Sequence, residues 1–205
     1  SQREQLPSQD SKYTDNYILL ISSSKSFSYA GQRTGLMIIS DYLFQRKYED
    51  LKRYYASDVF GRAMIYGALY AISAGTCHSA QYALAAMLRA ANEGKFDFVE
   101  VVREYGEKAK IMKELFTRFG FNIVYDKDMD EPIADGFYFT LSYPGFNGDE
   151  LINELLFYGI SAISLLITGS ERKEGLRACV SQVSRDQFND LEERLKNFHE
   201  DHPVE

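Results

Sequence analysis

A lysine among serines, followed by an arginine and a glycine, is the part of this sequence best suited to chemistry. Ser22 and Ser24 precede Lys25, Arg33 follows the lysine by eight residues, and Gly35 stands two residues later. A lysine amine attacks an aldehyde only in its neutral form, so such a lysine needs a desolvated or cationic pocket. Guanidinium and hydroxyl donors match phosphate oxygens, and glycine lets a backbone approach closely. These residue types suit a nucleophilic amine beside a phosphate-binding group; a serine-, lysine- and glycine-rich loop without chemistry is the alternative.

Two apolar segments flank this loop and must position it. Residues 17–22 and 35–40 are short runs rich in aliphatic side chains, which predicts two strands. Because both runs are continuously apolar, we expect a sheet that is covered on both faces. From about residue 41 to 116 the pattern is mostly helical, with helices predicted near 79–91 and 97–119. Gly94 and Gly120 are suited to end them.

The pattern changes after residue 120. Strands are predicted at 122–125, 136–142, 160–166 and 176–181, and a helix at 149–158. Ser184 and Gln187 form a capping-box pair ahead of a last helix. The predicted class is α/β. Residues 1–109 are predicted to be part of a large domain that carries the lysine loop, and residues 110–205 a small α+β domain.

The lysine loop resembles the signature of class I/II aminotransferases, the fold-type I enzymes that use pyridoxal 5'-phosphate (PLP). That signature has a serine three residues before the lysine, an arginine eight residues after it, and a glycine two residues later; Ser22, Lys25, Arg33 and Gly35 occupy these positions. The resemblance implies that Lys25 forms a Schiff base with PLP and that Ser22 and Arg33 hold its phosphate. Ser24 matches the family's usual small residue just before the lysine, and the resemblance implies that it belongs to the cofactor site. Three positions where the family usually has apolar residues are polar or aromatic here: Ser23, Tyr29 and Thr34.

Two further segments resemble the same family. Residues 175–181 resemble the late strand whose arginine binds the substrate carboxylate, so Arg177 is the candidate for amino-acid and 2-keto-acid substrates. The alternative is a solvated arginine on an edge strand. Residues 72–81 resemble a segment near the cofactor phosphate of the partner subunit in the family's homodimer. Thr76 and His78 are possible contributors there, and simple helix capping is an equally good interpretation.

Composition limits the classes of protein and partner. Apolar residues make up 45% of the chain and charged residues 26%, as in ordinary globular proteins. The net charge of −7 argues against nucleic-acid partners. No run is apolar over the length of a membrane span, so no membrane partner is expected. Cys77 and Cys179 lack a metal-type spacing, so we expect no metal, no disulfide framework and a reducing cytoplasm.

The resemblance runs from about Tyr17 to Phe198 and covers about half of the family's usual length. In the family, the other half supplies the carboxylate that pairs with the pyridinium nitrogen and most of the central sheet. We therefore expect a fragment that is inactive alone, taken from a PLP-dependent aminotransferase of amino-acid metabolism. Two alternatives remain open: a PLP-dependent lyase or decarboxylase of the same fold, or a non-catalytic oligomerisation or binding fragment. The sequence does not select the substrate.

Overall fold

The chain forms two compact units, Ser1–Asp97 and Phe98–Glu205, in a computed structural model that describes residues 14–133 and 136–204. The boundary predicted at 109/110 falls inside a long helix that begins at Phe98. This helix belongs to the second unit because Ala109, Met112 and Phe116 on its apolar face are buried in that unit's core. The assignment of the two parts as cofactor-binding and small domains stays a prediction.

The first elements among the described residues of the first unit are an antiparallel hairpin of β1 (Ile18–Ser22) and β2 (Gly35–Ile39). Both strands were predicted, but the expectation that both faces are covered is wrong for the residues that the structure describes. Leu20 is 72% exposed on one face and Ile38 is 45% exposed on the other. In the described residues this sheet has only the two strands, so neighbouring strands do not shield the outer side chains.

Most of the other described residues of the first unit are helical, as predicted from residue 41 onward. The short helix α1 (Ser23–Ser26) follows β1, and α2 (Asp41–Gln45) follows β2. A continuous helical segment then contains α3 (Phe60–Arg62), the π-helix Ala63–Leu69 and α4 (Tyr70–Ser73). Aromatic rings pack directly on its glycines: a Cβ at Gly61 would lie 2.1 Å from the Phe44 ring. The unit ends with α5 (His78–Asn92), after which Gly94 adopts φ +70°.

The second unit packs helices against one face of a four-stranded antiparallel sheet. In spatial order its strands are β3 (Asn122–Ile123), β6 (Tyr138–Ser142), β8 (Leu176–Cys179) and β7 (Ile163–Ser164). A separate small hairpin is formed by β4 (Lys127–Asp128) and β5 (Glu131–Pro132). Alternate side chains of β6 and β8 point into a core that also contains Leu151, Leu155, Leu195 and Phe198. The helices of this unit are α6 (Phe98–Arg118), α7 (Gly148–Phe157) and α8 (Phe188–Asp201).

Two predictions for this unit can be compared directly with the structure. The strand predicted at 160–166 is wrong in length: only Ile163 and Ser164 pair, and Leu165–Thr168 forms a 3₁₀ turn. The Ser164 hydroxyl accepts a hydrogen bond from the Leu166 amide, which caps that turn and ends the strand. The capping box of Ser184 and Gln187 is confirmed, since the Gln187 side chain accepts from the Ser184 amide at 2.9 Å.

Candidate functional site

Lys25 lies in a single helical turn immediately after β1. The strand ends at Ser22, whose hydroxyl accepts a hydrogen bond from the Ser24 amide at 3.3 Å and so caps α1. Lys25 is the third residue of that turn, and its side chain is exposed. The run of serines thus breaks the strand and presents the lysine at the end of the hairpin.

A buried serine ties the two arms of the loop together. Ser23 is 1% exposed, and its hydroxyl donates a hydrogen bond to the carbonyl of Thr34, which is also buried. The Ser23 carbonyl accepts from the amides of Phe27 and Tyr29, each at 3.2 Å. The bond to Thr34 holds the arm that carries the lysine against the start of β2, and the other two bonds close the turn within residues 23–29.

Arg33 lies on the other arm of the same loop. Ser22 pairs with Gly35 across the hairpin, so Arg33 is only two residues beyond the paired end. Its backbone adopts the left-handed conformation, with φ 51° and ψ 46°, and its guanidinium Nη1 donates to the Ala30 carbonyl at 2.9 Å. A left-handed non-glycine residue is strained, and such strain is often found where a loop binds a ligand.

The residues at this end of the hairpin fit a phosphorylated aldehyde by their chemistry. Lys25 offers an amine, Ser22 and Ser24 offer hydroxyls, and Arg33 offers a guanidinium on an exposed side chain. Charged donors of this kind form strong hydrogen bonds with phosphate oxygens. The structure brings all four residues to one loop, and their roles toward PLP stay predictions.

Thr76 and His78 line a cavity of about 500 Å³ in the first unit, together with Thr34, Gly35 and Tyr82. Thr34 and Gly35 directly follow Arg33, so this cavity borders the lysine loop. His78 is the first residue of α5, and Cys77 precedes it as the N-cap without a capping hydrogen bond from its side chain. The possible contribution of Thr76 and His78 to a cofactor site stays a prediction.

Arg177 lies in the second unit, in the middle of β8. It pairs with Thr140 of β6 on one side and with Ile163 of β7 on the other, so it is on an interior strand and the edge-strand alternative is wrong. Its guanidinium carbon lies 4.4 Å from the centroid of the Tyr138 ring. Its Nε is buried and has no hydrogen-bond partner among the residues that the structure describes.

The sequence did not identify Ser23 or Tyr138 as residues that shape the candidate sites. Ser23 differs from the apolar residue that the family usually has, and the burial of its hydroxyl becomes evident only once the loop is folded. Tyr138 lies two residues from Thr140, the residue opposite Arg177, so the two side chains meet on a diagonal across the sheet. Only the strand register reveals that contact.

Within residues 14–133 and 136–204, no three His, Cys, Asp or Glu side chains are grouped so as to hold a metal ion. No helix in these ranges is both long enough and apolar enough to cross a bilayer.

Comparison with known proteins gives matches among solved structures only; no family model and no curated protein matches the chain. An α-aminoadipate aminotransferase from Thermus thermophilus, complexed with N-(5'-phosphopyridoxyl)-L-leucine, has a TM-score of 0.61 and 15% identity over 90% of this chain and 42% of its own. L-threonine-O-3-phosphate decarboxylase from Porphyromonas gingivalis has a TM-score of 0.59 and 14% identity over 98% of this chain and 52% of its own. Aspartate aminotransferase from Thermotoga maritima has a TM-score of 0.56 and 18% identity over 88% of this chain and 39% of its own.

These matches establish the fold. The chain has the α/β fold of fold-type I PLP-dependent enzymes, and it spans about half or less of the length of the three structures. At identities of 14–18% the similarity is one of backbone architecture. Reaction, substrate and site residues must therefore be argued from the residues of this chain.

Proposed function

We propose that this chain carries the cofactor lysine of a PLP-dependent aminotransferase, which moves an amino group between an amino acid and a 2-keto acid. The observation that carries the proposal is the loop itself. Lys25 lies in the helical turn that directly follows β1, and the Ser23 hydroxyl ties its arm to the arm that carries Arg33. The fold is the one in which such enzymes are built.

The residues of the loop have distinct roles in this proposal. PLP, when bound, supplies the electron sink that stabilises negative charge at the substrate α-carbon. Lys25 would hold the cofactor through Nζ, and the same Nζ would accept and return the proton at the substrate α-carbon. Ser22 and Arg33 would fix the phosphate, and Ser24 is the small residue of the cofactor site just before the lysine. Arg177 orients the substrate by pairing with its α-carboxylate.

The whole protein's properties belong to the same proposal. We propose a cytoplasmic homodimer, and we expect the 205 residues alone to be inactive, because they span 42% of the aminoadipate aminotransferase that they match. A PLP-dependent decarboxylase is the second candidate, since one of the similar folds is a decarboxylase at a TM-score of 0.59. Assaying amino transfer to a 2-keto acid against release of carbon dioxide or elimination products separates these reactions in a protein that contains this sequence.

The attachment of PLP to Lys25 is tested by reductive trapping. The chain is incubated with PLP, reduced with borohydride and digested with trypsin. A modified Lys25 blocks cleavage, so the label appears on the peptide of residues 13–33, in which Lys25 is the only lysine. Pyridoxal without its phosphate should label this peptide far less, because the proposal requires the phosphate to be held by Ser22 and Arg33.

Two variants serve as test and control. Lys25→Ala should remove the phosphate-dependent label, whereas Lys95→Ala should keep it; Lys95 is an exposed lysine of the same unit that pairs with Glu93 at 2.7 Å. Labelling spread evenly over the lysines would overturn the assignment. If the chain self-associates but takes no phosphate-dependent label, the proposal fails in favour of the non-catalytic binding fragment.

A further inference from the structure

The contact between Arg177 and Tyr138 goes beyond the residues assigned so far. The guanidinium carbon lies 4.4 Å from the ring centroid, well within the range of a cation–π interaction. The Arg172–Tyr125 pair of the same unit is more open, at 5.9 Å. Arg177 is thus stacked closely on an aromatic ring in the middle of the sheet.

The environment of Arg177 Nε explains why this stacking matters. Nε is buried and has no acceptor among the described residues, although buried donors in native proteins nearly always have one. The positive charge is therefore shielded from water at Nε, and the negative face of the Tyr138 ring compensates it there. The ring also restricts the movement of the guanidinium, because the guanidinium carbon lies only 4.4 Å from the ring centroid.

We propose that Tyr138 is the positioning residue for the carboxylate-binding arginine: it holds the Arg177 guanidinium at a fixed orientation and leaves it free to pair with a substrate carboxylate. This inference rests on the proposed function, because it takes a carboxylate as the ligand of Arg177. A preorganised guanidinium loses less side-chain entropy on binding. Tyr138 therefore sets the affinity for the carboxylate without contacting it.

The shielded Nε provides the measurement. A buried Nε–H exchanges slowly with water, so the ¹⁵N-labelled chain should show its cross-peak, which Arg177→Lys identifies by removing it. Pyruvate, a simple 2-oxo carboxylate, is titrated in while chloride keeps the ionic strength constant. The pyruvate concentration at half-maximal shift gives the dissociation constant at Arg177.

The variants separate stacking from the general effect of a mutation. Tyr138→Phe keeps a ring and should bind pyruvate as the unchanged chain does. Tyr138→Leu should bind roughly 5- to 30-fold more weakly, the factor that ~1–2 kcal/mol of lost cation–π energy represents. Tyr125→Leu removes the ring from the other arginine pair and is the matched control. If Tyr138→Leu does not fold, Tyr138→trifluorophenylalanine weakens the ring's negative face at nearly constant shape and should also weaken binding.

Each outcome decides the inference. It is overturned if the ring-weakening variant binds pyruvate as tightly as Tyr125→Leu, or if the Arg177 signal of the unchanged chain does not respond to pyruvate. Neither result affects the proposed cofactor role of Lys25, which the phosphate-dependent label tests separately. Conversely, if PLP does not label Lys25 but the Arg177 signal responds to pyruvate as expected, the carboxylate site on the second unit stands and the proposed cofactor role of Lys25 fails.

Discussion

Removing the hydroxyl of Ser23 is the sharpest test of how the lysine loop is built. In the folded chain this hydroxyl donates to the Thr34 carbonyl, and both residues are buried. Ser23→Ala deletes the donor and keeps the helical turn, since alanine is a good helix former. The Ser23 carbonyl, which accepts from the Phe27 and Tyr29 amides, is chemically unchanged.

The expected cost follows from the burial of the acceptor that is left behind. A buried carbonyl that loses its hydrogen-bond partner costs ~1–3 kcal/mol. Because this bond closes the lysine loop, the cost should appear as more frequent local opening of that loop. The arm with Lys25 would then separate more often from the arm with Arg33. PLP capture at Lys25 should weaken in proportion, because Arg33, which holds the phosphate together with Ser22, lies on the other arm from the Lys25 amine.

Hydrogen exchange and trapping together measure the effect. In Ser23→Ala the amides of Phe27 and Tyr29 should exchange faster, and more PLP should be needed for half-maximal labelling of Lys25. Ser26→Ala is the control, because Ser26 belongs to the same turn and is exposed. If Ser23→Ala and Ser26→Ala show the same exchange rates and the same PLP dependence, the bond to Thr34 does not hold the loop and the reasoning is refuted.

Three further predictions concern the second unit. Asn147→Ala removes the cap of α7, whose oxygen accepts from the Glu150 amide at 3.0 Å, and should lower the free energy of unfolding in urea by ~1 kcal/mol. Arg185 hydrogen-bonds to the Glu104 carboxylate and lowers its pKa below the usual 4.5, so this stabilisation is present above about pH 4.5 and lost as the pH falls. Arg185→Ala should therefore reduce the loss of unfolding free energy as the pH falls below about 4.5. An equally large loss in the variant would contradict this. The hydrogen bond from the Tyr158 hydroxyl to Asp201, together with burial, raises the pKa of Tyr158 from 10.0 to about 12. The neutral phenol therefore stabilises the folded chain up to about pH 10, and this stabilisation is lost as the pH rises toward 12. Tyr158→Phe should reduce the fall in stability between these pH values, and an equally steep fall would refute it.

Local patterns were enough to predict most elements of the fold. Aliphatic runs predicted β1 and β2, and the glycines at 94 and 120 marked helix ends, because a positive φ suits glycine. Where the pattern was ambiguous, the prediction was wrong. The apolar run at 160–166 looks like a strand, but the capping hydroxyl of Ser164 turns it into a 3₁₀ segment after two paired residues.

The candidate site was predictable only in its residue types. The spacing of Lys25 and Arg33 is visible in the sequence, and the structure brings both to one loop. The left-handed backbone at Arg33 and the buried bond of Ser23 depend on how the two arms meet, which no local pattern contains. The stacking of Arg177 on Tyr138 depends on the register of β6 and β8, which is set by the core of the second unit.

The most direct test of the central claim is a crystal structure of the chain with PLP. We predict continuous density from Lys25 Nζ to the cofactor, with the phosphate in contact with the Ser22 hydroxyl and the Arg33 guanidinium. Density for PLP on another lysine, or a phosphate bound away from Ser22 and Arg33, would contradict the assignment of this loop as the cofactor site.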